Sequence, residues 1–215
     1  MNSALKFQTS PYTSFMQETS VDLGNGMQLH VEIGGKETDP AILLIMGLGA
    51  QMLFWPDFFC KSLIDQGYRV IRFDNRDIGL SSKIRHKGPR LNHLKLMGRF
   101  AMGLPNDGAP YNLYDMADDV ALLIDRLGLD QPHIIGASMG GMIAQILAAK
   151  YPEKIGKLGL IFTSNNQPLL PPPFPKQLFT LIGKPESRDE QGIINHSLKV
   201  FKTIGSPGYL NQLEA

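Results

Sequence analysis

The feature that most constrains this chain is a serine in a glycine-rich turn, placed between an apolar strand pattern and an apolar helix pattern. Residues 136–140 read GASMG, which fits G-x-S-x-G with Ser138 at its centre. A strand that passes directly into a helix brings the two backbones close together, so Gly136 and Gly140 leave out Cβ atoms that would clash. The pattern therefore predicts a tight strand–serine–helix turn.

Such a turn is the layout of a nucleophile elbow, in which the serine hydroxyl stands exposed above the start of the helix. We expect Ser138 to occupy a sparsely allowed backbone conformation, a strain found mainly at functional sites. The N–H groups and the dipole at the start of a helix favour negative charge, which suits a tetrahedral oxyanion. The simpler alternative is that Ser138 only caps the helix and that the glycines only allow close packing.

Strand and helix patterns alternate through most of the chain. The apolar run Ala41–Met46 predicts a strand buried on both faces, and residues 69–73 and 157–162 predict two more strands. Near the N-terminus, a turn at Asn25-Gly26 between alternating residues predicts an antiparallel hairpin. This order predicts an α/β fold with a mostly parallel central sheet and helices on both of its faces.

The predicted helices and a proline-rich stretch define the organisation of the chain. One helix is capped by Asn112 and stops at Gly128. Residues 168–176 read PLLPPPFPK, which predicts a stiff connector, and the sequence after it is amphipathic with helical spacing. We therefore expect a core over residues 1–166 and the start of a helical lid over residues 167–215.

Composition excludes several classes of function. The 21 Lys and Arg nearly balance the 20 Asp and Glu, which gives no argument for binding nucleic acid. Cys60 is the single cysteine, so the chain has no internal disulfide and no all-cysteine metal site. It also lacks an apolar run of about 18 residues and a signal-peptide pattern, so we expect a cytoplasmic protein without a membrane span. No metal or organic cofactor is implied.

Two further segments, together with the serine turn, resemble a known family. Residues 46–50 read MGLGA directly after a predicted strand, and residues 74–81 read DNRDIGLS, which fits D-x-R-x-x-G-x-S. From about residue 20 to about residue 165 the chain resembles the α/β-hydrolase superfamily, nearest to small esterases and lipases that include the aclacinomycin methylesterase-like group. The resemblance implies the α/β-hydrolase fold with a serine nucleophile.

The resemblance also implies an oxyanion hole and a structural role for the second segment. The hole would be formed by the backbone N–H groups of Leu48 and Met139. The family loop commonly reads H-G-x-G, and Met46 replaces its histidine here, which leaves the backbone donor intact. Asp74 and Arg76 would hold loops near the site.

The loop at residues 46–50 also allows a dinucleotide-binding alternative. Gly47 and Gly49 follow a strand, and Asp74 lies at the end of the next strand, where it could bind a ribose. The third glycine of that motif would fall at Met52, which weakens this reading.

The partners of the serine are not evident in the sequence. The family places an acid and then a histidine after the serine. Some members carry the acid after the next strand, where residues 163–166 read TSNN. Asp189 and His196 are an alternative pair, but both lie in one amphipathic segment. We therefore expect the acid, the histidine and the closing strands of the sheet beyond residue 215, and a second copy or a complementing C-terminal segment over the open sheet edge at residues 159–162.

A basic stretch without one acidic residue spans Lys83 to Arg99. It is typical of a solvated flap with apolar residues facing inward. The alternative is a docking surface for an acidic acyl carrier or another anionic surface.

These observations predict a carboxylesterase that acts on a small-molecule ester through an acyl-enzyme on Ser138. We expect the 215-residue chain alone to be nearly inactive because it lacks a complete triad. Two alternatives stay open. One is an acyltransferase or cofactor-free perhydrolase of the same fold, and the other is a non-catalytic interaction protein on a hydrolase scaffold.

Overall fold

A computed structural model of the chain describes residues 5–84, 109–165 and 189–205, together with single residues between 167 and 187. The chain divides into two compact units, Met1–Pro168 and Leu169–Ala215. The basic stretch from residue 85 onward lies outside the described residues, so its two alternatives stay predictions. The assignment of the second unit as a lid also stays a prediction.

The first unit is built on one mixed sheet. Its seven strands are β1 (Gln8–Thr9), β2 (Met16–Asp22), β3 (Gln28–Gly34), β4 (Ala41–Ile45), β5 (Arg69–Phe73), β6 (His133–Ala137) and β7 (Leu158–Ile161). They lie in the order β1-β2-β3-β5-β4-β6-β7. Strands β5, β4, β6 and β7 run parallel, while the pairs β1–β2, β2–β3 and β3–β5 are antiparallel. The predicted α/β fold with an N-terminal hairpin is confirmed.

Among the described residues, three α-helices cover the two faces of this sheet. They are α1 (Asp57–Asp65), α2 (Leu113–Leu127) and α3 (Met139–Lys150), and a fourth helix, α4 (Glu190–Ile204), belongs to the second unit. The run at β4 shows why both faces are buried. Leu43 and Ile45 lie in the core shared with α2 and α3, whereas Ile42 and Leu44 lie in the core shared with α1.

The ends of α2 follow the capping pattern predicted from the sequence. The Asn112 side chain accepts the N–H groups of Tyr114 and Asp115, and the Asp115 side chain accepts the Asn112 N–H in return. At the other end Gly128 adopts a left-handed conformation with a φ of 61°. These caps fix both ends of α2, the helix that packs beside α3.

The hairpin strand β3 differs from its sequence pattern. Its alternation predicts one polar face, but the strand is buried from Leu29 to Gly34. Glu32 lies directly opposite Arg72 of β5, and their side chains form a fully buried ion pair at 2.6 Å. The polar residue tolerates burial because its charge is paired.

Candidate active site

The serine turn joins β6 to α3 and is held by backbone hydrogen bonds. Ser138 has a φ of 54° and a ψ of −122°, a conformation that non-glycine residues rarely adopt and that costs about 1–3 kcal/mol. Its N–H donates to the Ile161 carbonyl of β7 at 3.0 Å. Its carbonyl accepts the Gly141 N–H at 2.9 Å and the Thr163 hydroxyl at 2.6 Å. Hydrogen bonds therefore hold both the N–H group and the carbonyl group of the strained residue.

The glycines beside Ser138 let three backbone segments touch. A Cβ atom at Gly136 would lie 2.4 Å from the Gly140 carbonyl oxygen. A Cβ atom at Gly140 would lie 2.1 Å from the Ile45 carbonyl oxygen, at the end of β4. Real side chains do not approach backbone this closely. Neither position can therefore carry a side chain without moving the turn.

The Ser138 side chain is half-buried and lies beside the loop that follows β4. Ser138 is the N-cap residue of α3 but makes no side-chain capping bond, which counts against the alternative that it only caps the helix. A Cβ atom built on Gly47 would lie 3.0 Å from the Ser138 Cβ and 3.4 Å from its Oγ. The hydroxyl is thus placed between the start of a helix and a glycine loop.

The two predicted oxyanion donors come from the two elements that flank Ser138. Leu48 follows Gly47 in the loop, and its side chain is 62% exposed. Met139 is the first residue of α3, and an N–H group at that position has no acceptor inside its helix. The assignment of these two N–H groups to one oxyanion stays a prediction.

Asp74 holds the loop after β5 against the loop after β4. Its buried carboxylate accepts the Met52 N–H at 2.8 Å and the Leu80 N–H at 3.0 Å. The Ser81 hydroxyl donates to the Asp74 carbonyl at 2.6 Å and accepts the His30 N–H. These bonds confirm the structural role predicted for Asp74. They also count against the dinucleotide alternative, because a carboxylate that is buried and already bonded is not available to a ribose.

Arg76 ties the same segment to α2. Its guanidinium pairs with Asp119 at 2.7 Å, donates to the Asp115 carbonyl at 3.2 Å, and lies 5.0 Å from the centre of the Tyr111 ring. Burial alone would lower the Arg76 pKa, but the bond to Asp119 raises it above its usual value. The predicted role of Arg76 in holding loops is confirmed.

Two of the described histidines, His133 and His30, lie in structural contacts. His133 Nδ1 accepts the Lys157 N–H at 3.1 Å between the starts of β6 and β7. His30 lies in the hairpin, 3.3 Å from Glu18. Among the residues that the structure describes, no histidine or carboxylate forms a hydrogen bond with the Ser138 hydroxyl.

Asp189 and His196, the alternative pair, line one cavity of the second unit but form no hydrogen bond with each other among the described residues. The Asp189 carboxylate bonds to the Ser187 hydroxyl and to the Gly192 N–H, so it caps the start of α4. These bonds lower the pKa of Asp189. No bond between Asp189 and His196 occurs in the described part of the second unit. The carboxylate therefore serves its own helix.

The segment after β7 carries a contact that the sequence reasoning missed. Some family members carry the acid here, but in this chain Thr163 bonds to the Ser138 carbonyl, and Gln145 of α3 donates to the Ser164 carbonyl at 2.9 Å. The threonine also fills the space beside Gly141. No local pattern signals this contact, because 25 positions separate Thr163 from Ser138.

The described residues contain neither a cluster of metal-binding side chains nor a membrane-spanning helix. No group of three or more His, Cys, Asp or Glu side chains could hold a metal ion within those residues. Over the same residues, no helix has the length and apolar character needed to cross a membrane.

Comparisons with known proteins agree with this fold. The sequence model of the alpha/beta hydrolase fold matches residues 40–189. Rhodomycin D methylesterase of Streptomyces peucetius is 28% identical over 193 residues, covering 81% of this chain and 58% of that protein.

Solved structures show the same fold. The Cfl2 protein of Burkholderia cenocepacia superposes with a TM-score of 0.63 at 18% identity, covering 90% of this chain and 60% of that chain. The enol-lactonase of Burkholderia xenovorans superposes with a TM-score of 0.51 at 26% identity, covering 65% of this chain and 45% of that chain. The present chain thus spans three fifths or less of the length of each of these relatives.

Proposed function

The chain belongs to the alpha/beta hydrolase fold family, and we propose that it carries the nucleophile and the oxyanion hole of a carboxylesterase. The observation that supports this proposal most is the Ser138 turn. A strained serine whose side chain makes no capping bond lies half-buried at the start of α3, against the glycine loop after β4. Such strain persists mainly at functional sites.

The proposed reaction proceeds through an acyl-enzyme. The Ser138 Oγ attacks the ester carbonyl carbon while a histidine takes its proton, and the N–H groups of Leu48 and Met139 stabilise the oxyanion. When the tetrahedral intermediate collapses, the C–O bond to the alcohol breaks and the histidine returns the proton to the leaving oxygen. Water then attacks the acyl carbon by the same route and releases the acid.

We propose that the histidine and the acid lie outside these 215 residues. No described histidine or carboxylate bonds to the Ser138 hydroxyl, and Thr163 takes up a structural contact where some relatives carry the acid. The rhodomycin D methylesterase is longer than this chain, which covers 58% of it. The names of two relatives, a methylesterase and an enol-lactonase, support ester cleavage as the reaction class.

We also propose that additional chain or a second copy covers β7 in the complete protein. This strand ends the sheet order of the described residues, and three exposed apolar side chains belong to it or follow it: Leu158 and Leu160 within β7 and Phe162 directly after it. An unpaired apolar edge favours association. Molar mass by light scattering separates the two cases, because only a second copy gives a dimer.

The proposed function is tested by turnover of short p-nitrophenyl esters by the full-length protein. We expect Ser138→Ala to lower kcat by about 10⁴–10⁶-fold, because the oxyanion hole alone retains little catalysis. The matched control is Ser62→Ala, which removes an exposed hydroxyl on α1 and should leave kcat unchanged. Equal turnover by Ser138→Ala and the wild type would contradict the proposal. Product analysis with added alcohol or peroxide would reveal an acyltransferase or a perhydrolase instead.

A further inference from the structure

The loop after β4 is anchored at its far end by two side chains from β5 and the segment after it. Arg72 Nη1 donates to the Trp55 carbonyl at 2.7 Å, and the Asp74 carboxylate accepts the Met52 N–H at 2.8 Å. Both anchors lie several residues past the glycines that face Ser138. They therefore hold the C-terminal end of the loop and not the part beside the nucleophile.

The entry of the loop is anchored by Asn75. Its Nδ2 donates to the Met46 carbonyl at 2.9 Å. Gly47 follows directly, and its Cα faces the Ser138 side chain. Asn75 is 3% exposed, so water cannot readily replace its amide if the side chain is removed.

The Met46 carbonyl is confined from a second side by the serine turn. A Cβ atom at Gly140 would lie 2.8 Å from the Met46 oxygen. This oxygen therefore lies between the Asn75 amide and the first turn of α3. The bond from Asn75 sets the plane of the peptide that joins Met46 to Gly47, at the point where loop and helix meet.

The loop has few other restraints beside the nucleophile. Gly47 and Gly49 have no side chains, and Leu48 exposes most of its side chain. The bond that closes the loop, from the Ala50 N–H to the Gly47 carbonyl, is long at 3.4 Å. The orientation of the Leu48 N–H thus depends on how the peptide before Gly47 is held.

We propose that Asn75 is a positioning residue for the oxyanion hole. It holds the Met46 carbonyl and thereby directs the Leu48 N–H toward the oxyanion that forms at Ser138. Asn75 contacts no reacting atom. This inference rests on the proposed function, in which Leu48 is an oxyanion donor.

The inference is tested with Asn75→Ala and Asn75→His in the full-length protein. The alanine variant should lower kcat by about 10–100-fold with KM within about twofold, because a misplaced donor loses interactions made only in the transition state. Its affinity for a trifluoromethyl ketone, which forms an oxyanion on the serine, should fall by a similar factor. Histidine keeps an N–H donor the same number of bonds from Cα, so Asn75→His should recover part of both losses.

Gln131→Met is the matched control. The Gln131 side-chain amide also donates to a backbone carbonyl, that of Glu153, at 3.1 Å, but it does so at the opposite end of β6 from Ser138. This control should keep kcat and ketone affinity within about twofold of the wild type. A KM increase with unchanged kcat in Asn75→Ala, or ketone affinity equal to the wild type, would overturn the inference.

Hydrogen exchange tests the role of Asn75 independently of ester turnover. In Asn75→Ala the Ala50 amide, which bonds to the Gly47 carbonyl, should exchange at least about tenfold faster, while amides of β4 and β6 keep their wild-type rates. Unchanged exchange at Ala50 would overturn the role of Asn75. A wild type that neither turns over esters nor binds the ketone would refute the proposed function, and the exchange result would still decide whether Asn75 holds the loop.

Discussion

The serine turn and the loop opposite it form two sides of one candidate site, but different interactions hold them. The turn is held by backbone contacts, from the Ser138 N–H to β7 and through the touching segments at Gly136 and Gly140. The loop after β4 is held by side chains from β5 and the residues after it. Five consecutive residues specify the turn, whereas the position of the loop depends on strand register. That register pairs Leu44 with Arg72, which brings the ends of β4 and β5 level.

Removing the buried ion pair beside the loop after β4 should give the largest effect on stability. Arg72→Leu leaves the Glu32 carboxylate fully buried without its partner and removes the bond to the Trp55 carbonyl. We expect the free energy of unfolding to fall by about 3–5 kcal/mol in urea titration. The double variant Arg72→Leu/Glu32→Leu should recover part of this loss. A loss below about 1 kcal/mol in the single variant would contradict the account.

Adding a side chain to the serine turn at Gly140 should give the next largest effect on stability. Its added Cβ would meet backbone atoms of Ile45 and Met46, which cannot rotate away. We expect Gly140→Ala to lower the free energy of unfolding by about 3 kcal/mol. The control is Gly159→Ala in β7, whose Cβ would lie 3.3 Å from the Ile135 side chain and no closer than 3.7 Å to backbone. It should cost about 1 kcal/mol or less, and equal losses in the two variants would refute the close-contact explanation.

A smaller effect is expected when the segment after β7 loses its hydrogen bond to the serine turn. Thr163→Val keeps the shape of the side chain but removes the hydroxyl that bonds to the Ser138 carbonyl. The expected loss is about 1 kcal/mol in the free energy of unfolding. Thr203→Val is the control, since that hydroxyl bonds only to the Lys199 carbonyl within α4. If the rate of Ser138 acylation is the same in both variants, Thr163 does not position the nucleophile.

The smallest effect concerns the thiol beneath the loop. Cys60 lies buried on α1, with its Sγ 3.9 Å from Arg72 Nη1, and burial raises its pKa to about 11. At pH 8 the native thiol should therefore react with iodoacetamide at least about 100-fold more slowly than the unfolded chain. The raised pKa also means that its contribution to stability is present below pH 9 and is lost as the pH rises to about 11. Rapid native labelling at pH 8 would show that the α1 side of the core is open.

The sequence predicted the parts of the molecule that depend on neighbouring residues. The strand at residues 69–73, the capped helix α2 and the strand–serine–helix turn all follow from local patterns of apolar, capping and glycine residues. The family resemblance added the expectation that the loop after β4 faces the serine, and Gly47 of that loop does lie against the Ser138 side chain.

Contacts between distant positions could not be predicted in the same way. The burial of Glu32 requires Arg72, 40 positions away, and Asn75 reaches Met46 across 29 positions. Thr163 likewise reaches Ser138 only because β7 lies beside β6. A single sequence shows which residues could make such bonds, but only the sheet register shows which of them do.

The proposed role of Ser138 as the nucleophile is tested most directly by treating the full-length protein with a fluorophosphonate and mapping the modified peptide by mass spectrometry. We expect one phosphonylated residue, Ser138, and no labelling of Ser138→Ala. Labelling at another serine, or none in a folded wild type, would contradict it.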